Sequence, residues 1–497
     1  MSADSPTHWG PCVGALLALD GGAALLDALA AALAAPPGPV AVAGGPCAEL
    51  ESALALRGYA IEAADSRLVS SAVAPEGGIR FHDLLQSARA RLAPGGVLAV
   101  IGVFARRHDG HASEPVPRLE YWVRAAGRYG LRDGGYRDLS DAARAALVDP
   151  AAGEACAHLA DGLADGRYTC GVQRFEAASE PPCWSVYEVG AQDFEDLATL
   201  FRRVFGNELA AETWRWKYGG GRGQGIMARR GGAAVAHYGG VSRPIRYFGQ
   251  PQLAVQICDV MVDRDERGVL TRRGPFFLCA ATFLERYIGY GLKHLLGYGF
   301  PTHRAMRAAE RQGLYGAVGE MCEAQWTPRA RRPRGGSIRA LEPARDAGAV
   351  DRLWARMMAG LGDAIIGERT WAYVEHRYLR HPDKRYELVL VCGRLSRRPQ
   401  ALLVLRADEG RCELLDVVGA PRHFPVAMKW ACFLAHERGA RDLFCWVSRG
   451  YAARFESMGA QCAPLDVCNP TSVWTHGPEP ERLRDRWWFT SGDTDFR

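Results

Sequence analysis

The chain has 497 residues, of which 48% are hydrophobic and 24% charged, a composition typical of a soluble globular protein. The net charge of +5 is small for this length and no basic stretch alternates with aromatic residues, which argues against nucleic-acid binding. The 14 cysteines form no pair or cluster with metal-ligand spacing, which predicts reduced thiols and no metal site. The apolar stretch 13–35 carries Asp20 and Asp27, so we expect a soluble helix, no membrane partner and a cytoplasmic protein.

The length predicts about three domains, and the first of them, residues 1–180, has an α/β pattern. A short strand at 40–43 leads into Gly44-Gly45-Pro46, a helix, and a second strand that ends at Asp65. Another strand follows the segment Leu92-Ala93-Pro94-Gly95-Gly96. Only eighteen positions separate Asp65 from Asp83 (83 − 65 = 18), too few for the further strand and helix of a complete fold. We therefore expect a shortened Rossmann-like domain.

These landmarks resemble those of class I S-adenosylmethionine-dependent methyltransferases. The resemblance implies that the glycine turn approaches the cofactor and that Asp65 binds the ribose hydroxyls. The first strand lacks the acidic residue and the third glycine of that family, so we expect a degenerate domain that does not use S-adenosylmethionine. An active methyltransferase whose C-terminal half recognises the substrate remains an alternative.

After a linker at 177–182, a second domain is predicted at 184–327. A hairpin around Arg230-Gly231-Gly232 precedes a strand at 256–262, a loop rich in Arg and Gly, and an apolar helix through Phe283. The first N–H groups of a helix have no partner within it, and with nearby arginines they suit a phosphate. The alternative is a solvated Arg-rich turn. A short strand at 294–299 and a last helix that ends near Gly313 complete this domain.

This order of elements resembles the GNAT (Gcn5-related) N-acyltransferase fold. The resemblance implies that acyl-CoA is bound by the strand before the loop and by the loop itself. The loop is longer than the compact motif of the family. The implied CoA-binding residues are Met261, Val262, Arg267, Gly268, Arg272, Arg273, Gly274 and Phe276.

Acyl transfer from a thioester to an amine requires a group that accepts the amine proton and a group that stabilises the leaving thiolate. Asp259, on the strand that leads into the loop, is the candidate base; a structural ion pair is the alternative. His237 and Tyr238 lie on the hairpin strand that is expected to face the same cleft, although a core position is the alternative for both. The position where the family often has a tyrosine acid is Ala309 (313 − 4 = 309), and Tyr315 is expected to be a packing residue.

A third domain is predicted at 337–497, because features of the second domain recur in it. Tyr218 corresponds to Tyr378 at an offset of 160, and Asp259 corresponds to Asp416 at an offset of 157. The second copy lacks the Arg/Gly loop. Trp214, Trp216 and Tyr218 are interpreted either as core residues or as the lining of an acceptor pocket. The aromatic tail 487–496 resembles the end of tandem GNAT-like proteins and is expected to pack on the last domain.

The predicted fold class is therefore α/β: a truncated Rossmann-like domain followed by two GNAT-like domains with mixed sheets. The predicted function is N-acyl transfer, expected to be acetyl transfer, from acetyl-CoA or another acyl-CoA. The predicted acceptor is a small amine, an amino sugar or a biosynthetic intermediate. Besides the methyltransferase, the alternative is a non-catalytic scaffold in which both cofactor sites have decayed.

Overall fold

The computed structural model describes residues 81–106, 118–147, 153–268, 272–334 and 336–495, with short segments between residues 27 and 71. These residues form two compact units. The first extends to Tyr187 and includes Ala228–Gly232, and the second comprises Glu188–Met227 and the chain from Ala233 onward. Both units combine helices with sheets that contain parallel and antiparallel strand pairs, so the predicted α/β class is confirmed.

The first unit is built on a six-stranded sheet in the order β2-β1-β3-β4-β6-β5. The first four of these strands are parallel, and β6 is antiparallel to both of its neighbours. Helices α1 and α2 contribute apolar residues to the core beside β4, which is buried along its length. The elements are β1 Pro39–Val42, β2 Ala60–Ile61, β3 Arg67–Ser71, α1 Phe81–Arg91, β4 Val97–Ala105, α2 Leu119–Ala126, β5 Leu131–Asp138, α3 Ser140–Leu147, α4 Gly153–Ala164 and β6 Tyr168–Ala177.

The segment after Asp65 differs in part from the prediction. β3 occupies a stretch where no strand was expected, and it starts six positions after β2 ends (67 − 61 = 6). That connection is shorter than one average helix. Gly95 forms the predicted turn before β4 with a φ of 77°. The turn Gly44-Gly45-Pro46 and Asp65 lie outside the described residues, so the methyltransferase resemblance stays a prediction.

From Tyr187 onward, the chain shows the predicted hairpin, strand and helix in the predicted order. β7 and β8 each have residues in both units. The elements of this part of the chain are β7 Ser185–Glu188, α5 Phe194–Phe205, α6 Ala211–Tyr218, β8 Gly223–Arg230, β9 Ala233–Tyr247, β10 Gln250–Val262, α7 Pro275–Tyr287, β11 Leu296–Tyr298, α8 His303–Arg311, β12 Tyr315–Trp326, β13 Ser337–Ala340, α9 Pro343–Gly360, β14 Ile365–Gly367, α10 Trp371–Val374, β15 Glu387–Cys392, β16 Pro399–Asp408, β17 Arg411–Gly419, α11 Phe424–Glu437, β18 Leu443–Ser448, α12 Ala452–Glu456, β19 Gln461–Ser472, α13 Pro480–Leu483 and β20 Trp487–Trp488.

The two predicted C-terminal domains, 184–327 and 337–497, share strands and form one unit. In the first sheet, β11-β10-β9 continues into β14 and β20, which belong to the second half of the unit. In the second sheet, β12 from the first half lies between β18 and β19 in the order β13-β15-β16-β17-β18-β12-β19. This exchange gives partners to strand edges that two separate sheets would leave unpaired. The division into two GNAT-like domains at 184–327 and 337–497 stays a prediction.

Among the described residues, no helix combines the length and the apolar character needed to cross a membrane.

Candidate active site

The candidate site is a cleft where the parallel strands β10 and β11 separate. The strands pair only at Ala254–Leu296, Val255–Gly297 and Gln256–Tyr298. Beyond Gln256 the edge of β10 no longer pairs with β11, and a cavity of about 600 Å³ begins there. Its lining is mainly apolar. It comprises residues Ile257–Val260 of β10, Gly297–Pro301, Phe201, Phe205 and Asn207, Phe276, Leu284 and Ile288, Ala305, Tyr315, Pro470–Ser472 and Asp495.

A β-bulge in β10 brings Asp259 into this lining. The pairing of β10 with β9 shifts between Cys258 and Met261, so that one extra residue is inserted in β10. Asp259 has a φ of 49°, a left-handed conformation that Asp tolerates better than most non-glycine residues. Asp259 and Val260, the two residues at the bulge, both line the cavity.

Asp259 belongs to a cluster with Lys217, Tyr218 and Asp495. The ammonium group of Lys217 donates to the carboxylates of Asp259 at 2.9 Å and Asp495 at 2.7 Å. The Tyr218 hydroxyl donates to the second oxygen of Asp259 at 2.6 Å. Lys217 and Tyr218 occupy the end of α6, whose chain position directly before the β8–β9 hairpin brings them under the bulge.

Lys217 and Asp259 stabilise each other in their ionised forms. Burial acts to raise the pKa of Asp259, but the Lys217 ammonium and the Tyr218 hydrogen bond outweigh it and hold the pKa below its usual value. Burial likewise acts to lower the pKa of Lys217, and the two carboxylates hold it well above its usual value. Lys217 and Asp259 therefore stay charged, and Asp495 adds a second carboxylate at the polar end of an otherwise apolar cavity.

His237 and Tyr238 lie beneath the cleft rather than in its lining. Nδ1–H of the buried His237 donates to the backbone carbonyl of Asp259 at 2.7 Å, since a carbonyl can only accept. Burial lowers the pKa of His237, which keeps its ring neutral. His237 thus stabilises the bulge. β9 directs the His237 side chain against the backbone of β10, as the core alternative describes, and a catalytic role for His237 stays a prediction.

The hydroxyl of Tyr238 is hydrogen-bonded to that of Tyr315, and Tyr315 lines the cavity. Burial raises the pKa of both phenols, so each remains a neutral donor. Tyr315 is therefore a cleft residue as well as a packing residue. Ala309, at the position where a tyrosine acid was sought, is buried in α8.

The predicted CoA-binding residues lie along the segment from the end of β10 to the start of α7. Phe276 lines the cavity, and Gly274 precedes the first turn of α7. Arg267 donates through Nε to the carbonyl of Val262 at 2.9 Å, and Arg272 donates to the carbonyl of Gln312 at 3.2 Å. Met261 is buried, Val262 is half-buried, and Arg267, Gly268, Arg272 and Arg273 are exposed. Residues 269–271 lie outside the described residues.

The aligned residues of the second half form a similar contact. The Tyr378 hydroxyl donates to Asp416 at 3.3 Å, as Tyr218 does to Asp259. The strands β17 and β18 are parallel and pair only at Cys412–Leu443 and Glu413–Phe444. A register shift in β17 next to Asp416 parallels the bulge of β10.

Sequence reasoning missed Lys217 and Asp495. Lys217 is one of four lysines in a chain that otherwise uses arginine, which was an available signal. Asp495 has no such signal, because its contact with Lys217 spans 278 positions. Trp214, Trp216 and Tyr218 are only partly buried on α6, and none of the three is among the residues that line the cavity.

Comparisons with known proteins give structural neighbours only: no family model and no curated protein sequence matches the chain. A probable N-acyltransferase from Enterococcus faecalis V583 is 13% identical, with a TM-score of 0.46, over 59% of this chain and 73% of that one. A GCN5-related N-acetyltransferase from Kribbella flavida is 16% identical, with a TM-score of 0.44, over 58% and 71%. A Saccharomyces cerevisiae N-myristoyltransferase with bound myristoyl-CoA is 11% identical, with a TM-score of 0.40, over 59% and 79%. At such TM-scores the similarity decides nothing about chemistry.

Proposed function

We propose that the chain is an acyl-CoA-dependent N-acyltransferase whose reaction takes place between β10 and β11. The observation that supports this most is the ionised Asp259, held at the polar end of an apolar cavity beside a helix N-terminus and an exposed arginine segment. The cavity suits a thioester arm and its acyl group. The arginines and the first turn of α7 suit the pyrophosphate of CoA. The acyl group in this proposal is acetyl.

In the proposed reaction, the amine nitrogen attacks the thioester carbonyl carbon, and the carbon–sulfur bond then breaks. Asp259 accepts a hydrogen bond from the amine and takes its proton as the carbon–nitrogen bond forms. The neutral Tyr315 hydroxyl, whose oxygen accepts a hydrogen bond from Tyr238, donates a hydrogen bond that stabilises the leaving thiolate. The proton that Asp259 took from the amine then passes to the thiolate, so Asp259 and both tyrosines end in their starting protonation states. The products are an amide and CoA thiol.

The acceptor is proposed to be a small amine, for example an amino sugar. The two carboxylates and one ammonium of the cluster give the polar end a formal charge of −1, which attracts a protonated amine. The bound ammonium loses one proton to solvent and attacks as the neutral amine. An anionic acceptor is disfavoured by the same charge. The aligned cleft of the second half has no Arg/Gly loop, and we propose that it does not bind acyl-CoA.

A ligand screen tests this proposal through thermal stability. A ligand that binds only the folded state stabilises by about 2.7 kcal/mol when present at 100 times its Kd. Acetyl-CoA is expected to raise the Tm by several degrees, and S-adenosylmethionine is expected to leave it unchanged. No shift with either compound would favour a scaffold, and a shift with S-adenosylmethionine alone would favour a methyltransferase.

The arginine segment provides a second prediction. Replacing Arg267 and Arg273 together with Ala is expected to abolish the acetyl-CoA shift, because two charge-assisted contacts of about 1.5–3 kcal/mol each are removed. The matched control replaces Arg331 and Arg334, two exposed arginines outside the cleft, and is expected to retain the shift. Unchanged binding of acetyl-CoA to the first variant, measured by calorimetry, would show that this segment does not contact the CoA phosphates.

A further inference from the structure

The segment Phe489–Thr494, here called the tail segment, fills the cleft of the second half of the unit. The tail segment lies where β17 and β18 separate. In the first half, the corresponding place between β10 and β11 is the open cavity. The backbone N–H of Trp446 in β18 donates to the Ser491 hydroxyl at 2.8 Å, and the Thr490 hydroxyl donates to Asp416 at 3.3 Å. A Cβ on Gly492 would lie 2.9 Å from the carbonyl oxygen of Leu415 in β17. The second cleft is therefore occupied by the protein's own chain.

Buried arginines hold the tail segment in this cleft. Arg369 bonds to both Asp416 and Asp493, and none of the three side chains is more than 1% exposed. Arg243 of β9 approaches Asp493 at 3.5 Å. These contacts involve strands of both sheets, so the position of the tail segment is determined by the whole second unit.

The residue after the tail segment enters the open cleft of the first half. Arg377 donates to the carbonyl of Thr494 at 2.9 Å, and Lys217 donates to the carboxylate of the next residue, Asp495, at 2.7 Å. Arg377 and Lys217 are the aligned cations of the two halves, since 377 − 217 equals the offset of the tyrosines, 378 − 218 = 160. The aligned residues Arg377 and Lys217 therefore bind two consecutive residues, Thr494 and Asp495.

We propose that the second half of the unit acts as a clamp that positions Asp495 in the first cleft, where Asp495 is a positioning residue for Lys217 and Asp259. This inference rests on the proposed function. By sharing the Lys217 ammonium, Asp495 prevents the lysine from neutralising Asp259 completely, and the three groups together have a formal charge of −1. The second half thus contributes to catalysis without binding acyl-CoA.

The test uses full-length Asp495→Asn and Asp495→Glu variants with acetyl-CoA as the probe and glucosamine as the amine. Because the chain has four lysines, labelling lysine with ¹³C at Cε gives at most four signals, and loss of one in Lys217→Arg assigns Lys217. In Asp495→Asn the titration midpoint of Lys217 is expected to fall, and in Asp495→Glu it is expected to return toward the parent value. Glu481→Gln, the same charge change at an exposed position of α13, is expected to leave it unchanged.

Kinetics form the second arm of the test. Asp495→Asn is expected to lower kcat by about tenfold with an unchanged KM for acetyl-CoA, because only the positioning of the base is affected. An unchanged Lys217 midpoint in Asp495→Asn, or an equal loss of activity in Asp495→Glu, overturns the proposal. A shifted midpoint together with no acetyl-CoA turnover by the parent protein supports the position of Asp495 and overturns the proposed reaction instead.

Discussion

Replacing Asp259 with Asn is expected to lower the rate of acyl transfer by about 100- to 10,000-fold, the usual contribution of a positioned acid or base. Asn keeps the size of the side chain and one acceptor oxygen, but it loses the second acceptor used by Lys217 or Tyr218 and cannot take up the amine proton. Lys217 retains Asp495 as its partner in this variant, so the fold is expected to be preserved. The rate is measured as CoA thiol released from acetyl-CoA with a panel of small amines that includes glucosamine.

Binding measurements separate chemistry from folding in this variant. The Kd of acetyl-CoA, determined by calorimetry, is expected to match that of the parent protein, because Asp259 lies at the acceptor end of the cleft and not among the CoA-binding residues. Asp408→Asn, at an exposed position at the end of β16, removes a carboxylate outside the cavity and serves as the matched control. If Asp259→Asn retained more than a tenth of the parent rate, Asp259 would be a structural ion-pair residue only.

Replacing Arg369 with Ala is expected to destabilise the second unit by about 3–5 kcal/mol, the cost of leaving buried charges without their partner. Arg369 is fully buried, donates to Asp416 at 3.2 Å, and also binds Asp493. Arg243 compensates only weakly, because it reaches Asp493 at 3.5 Å and has no contact of this kind with Asp416. Urea unfolding monitored by tryptophan fluorescence measures the change without screening the charges.

The comparison for this prediction is an exposed ion pair of the same type. The guanidinium of Arg380 lies 2.9 Å from Glu375, and its side chain is 68% exposed. Arg380→Ala is expected to leave the urea midpoint almost unchanged, since exposed pairs contribute little. An Arg369→Ala variant as stable as the Arg380→Ala variant would show that the buried carboxylates are protonated or reach water, contrary to the ion pairs described.

The local elements around the cleft were predictable because each depends on residues close in sequence. The alternating pattern of β9 and β10 predicts strands, the glycines between β8 and β9 predict a turn, and the apolar run of α7 predicts a helix. Asp259 was predictable as a cleft residue for the same reason, since it lies on the strand that leads into the loop. The side to which its neighbours point was not predictable, because the bulge breaks the alternation of β10.

By itself, the sequence determined the α/β class, the order of the elements around the first cleft and the Arg/Gly segment before α7. It also predicted that Tyr218 and Asp259 correspond to Tyr378 and Asp416. Tertiary structure alone decided that β12 belongs to the second sheet, that the tail segment occupies the second cleft, and that Asp495 meets Lys217. The physical reason is the distance along the sequence over which each interaction acts. Periodicity and turn chemistry act over a few residues, whereas the contact of Lys217 with Asp495 depends on how two sheets exchange strands across 278 positions.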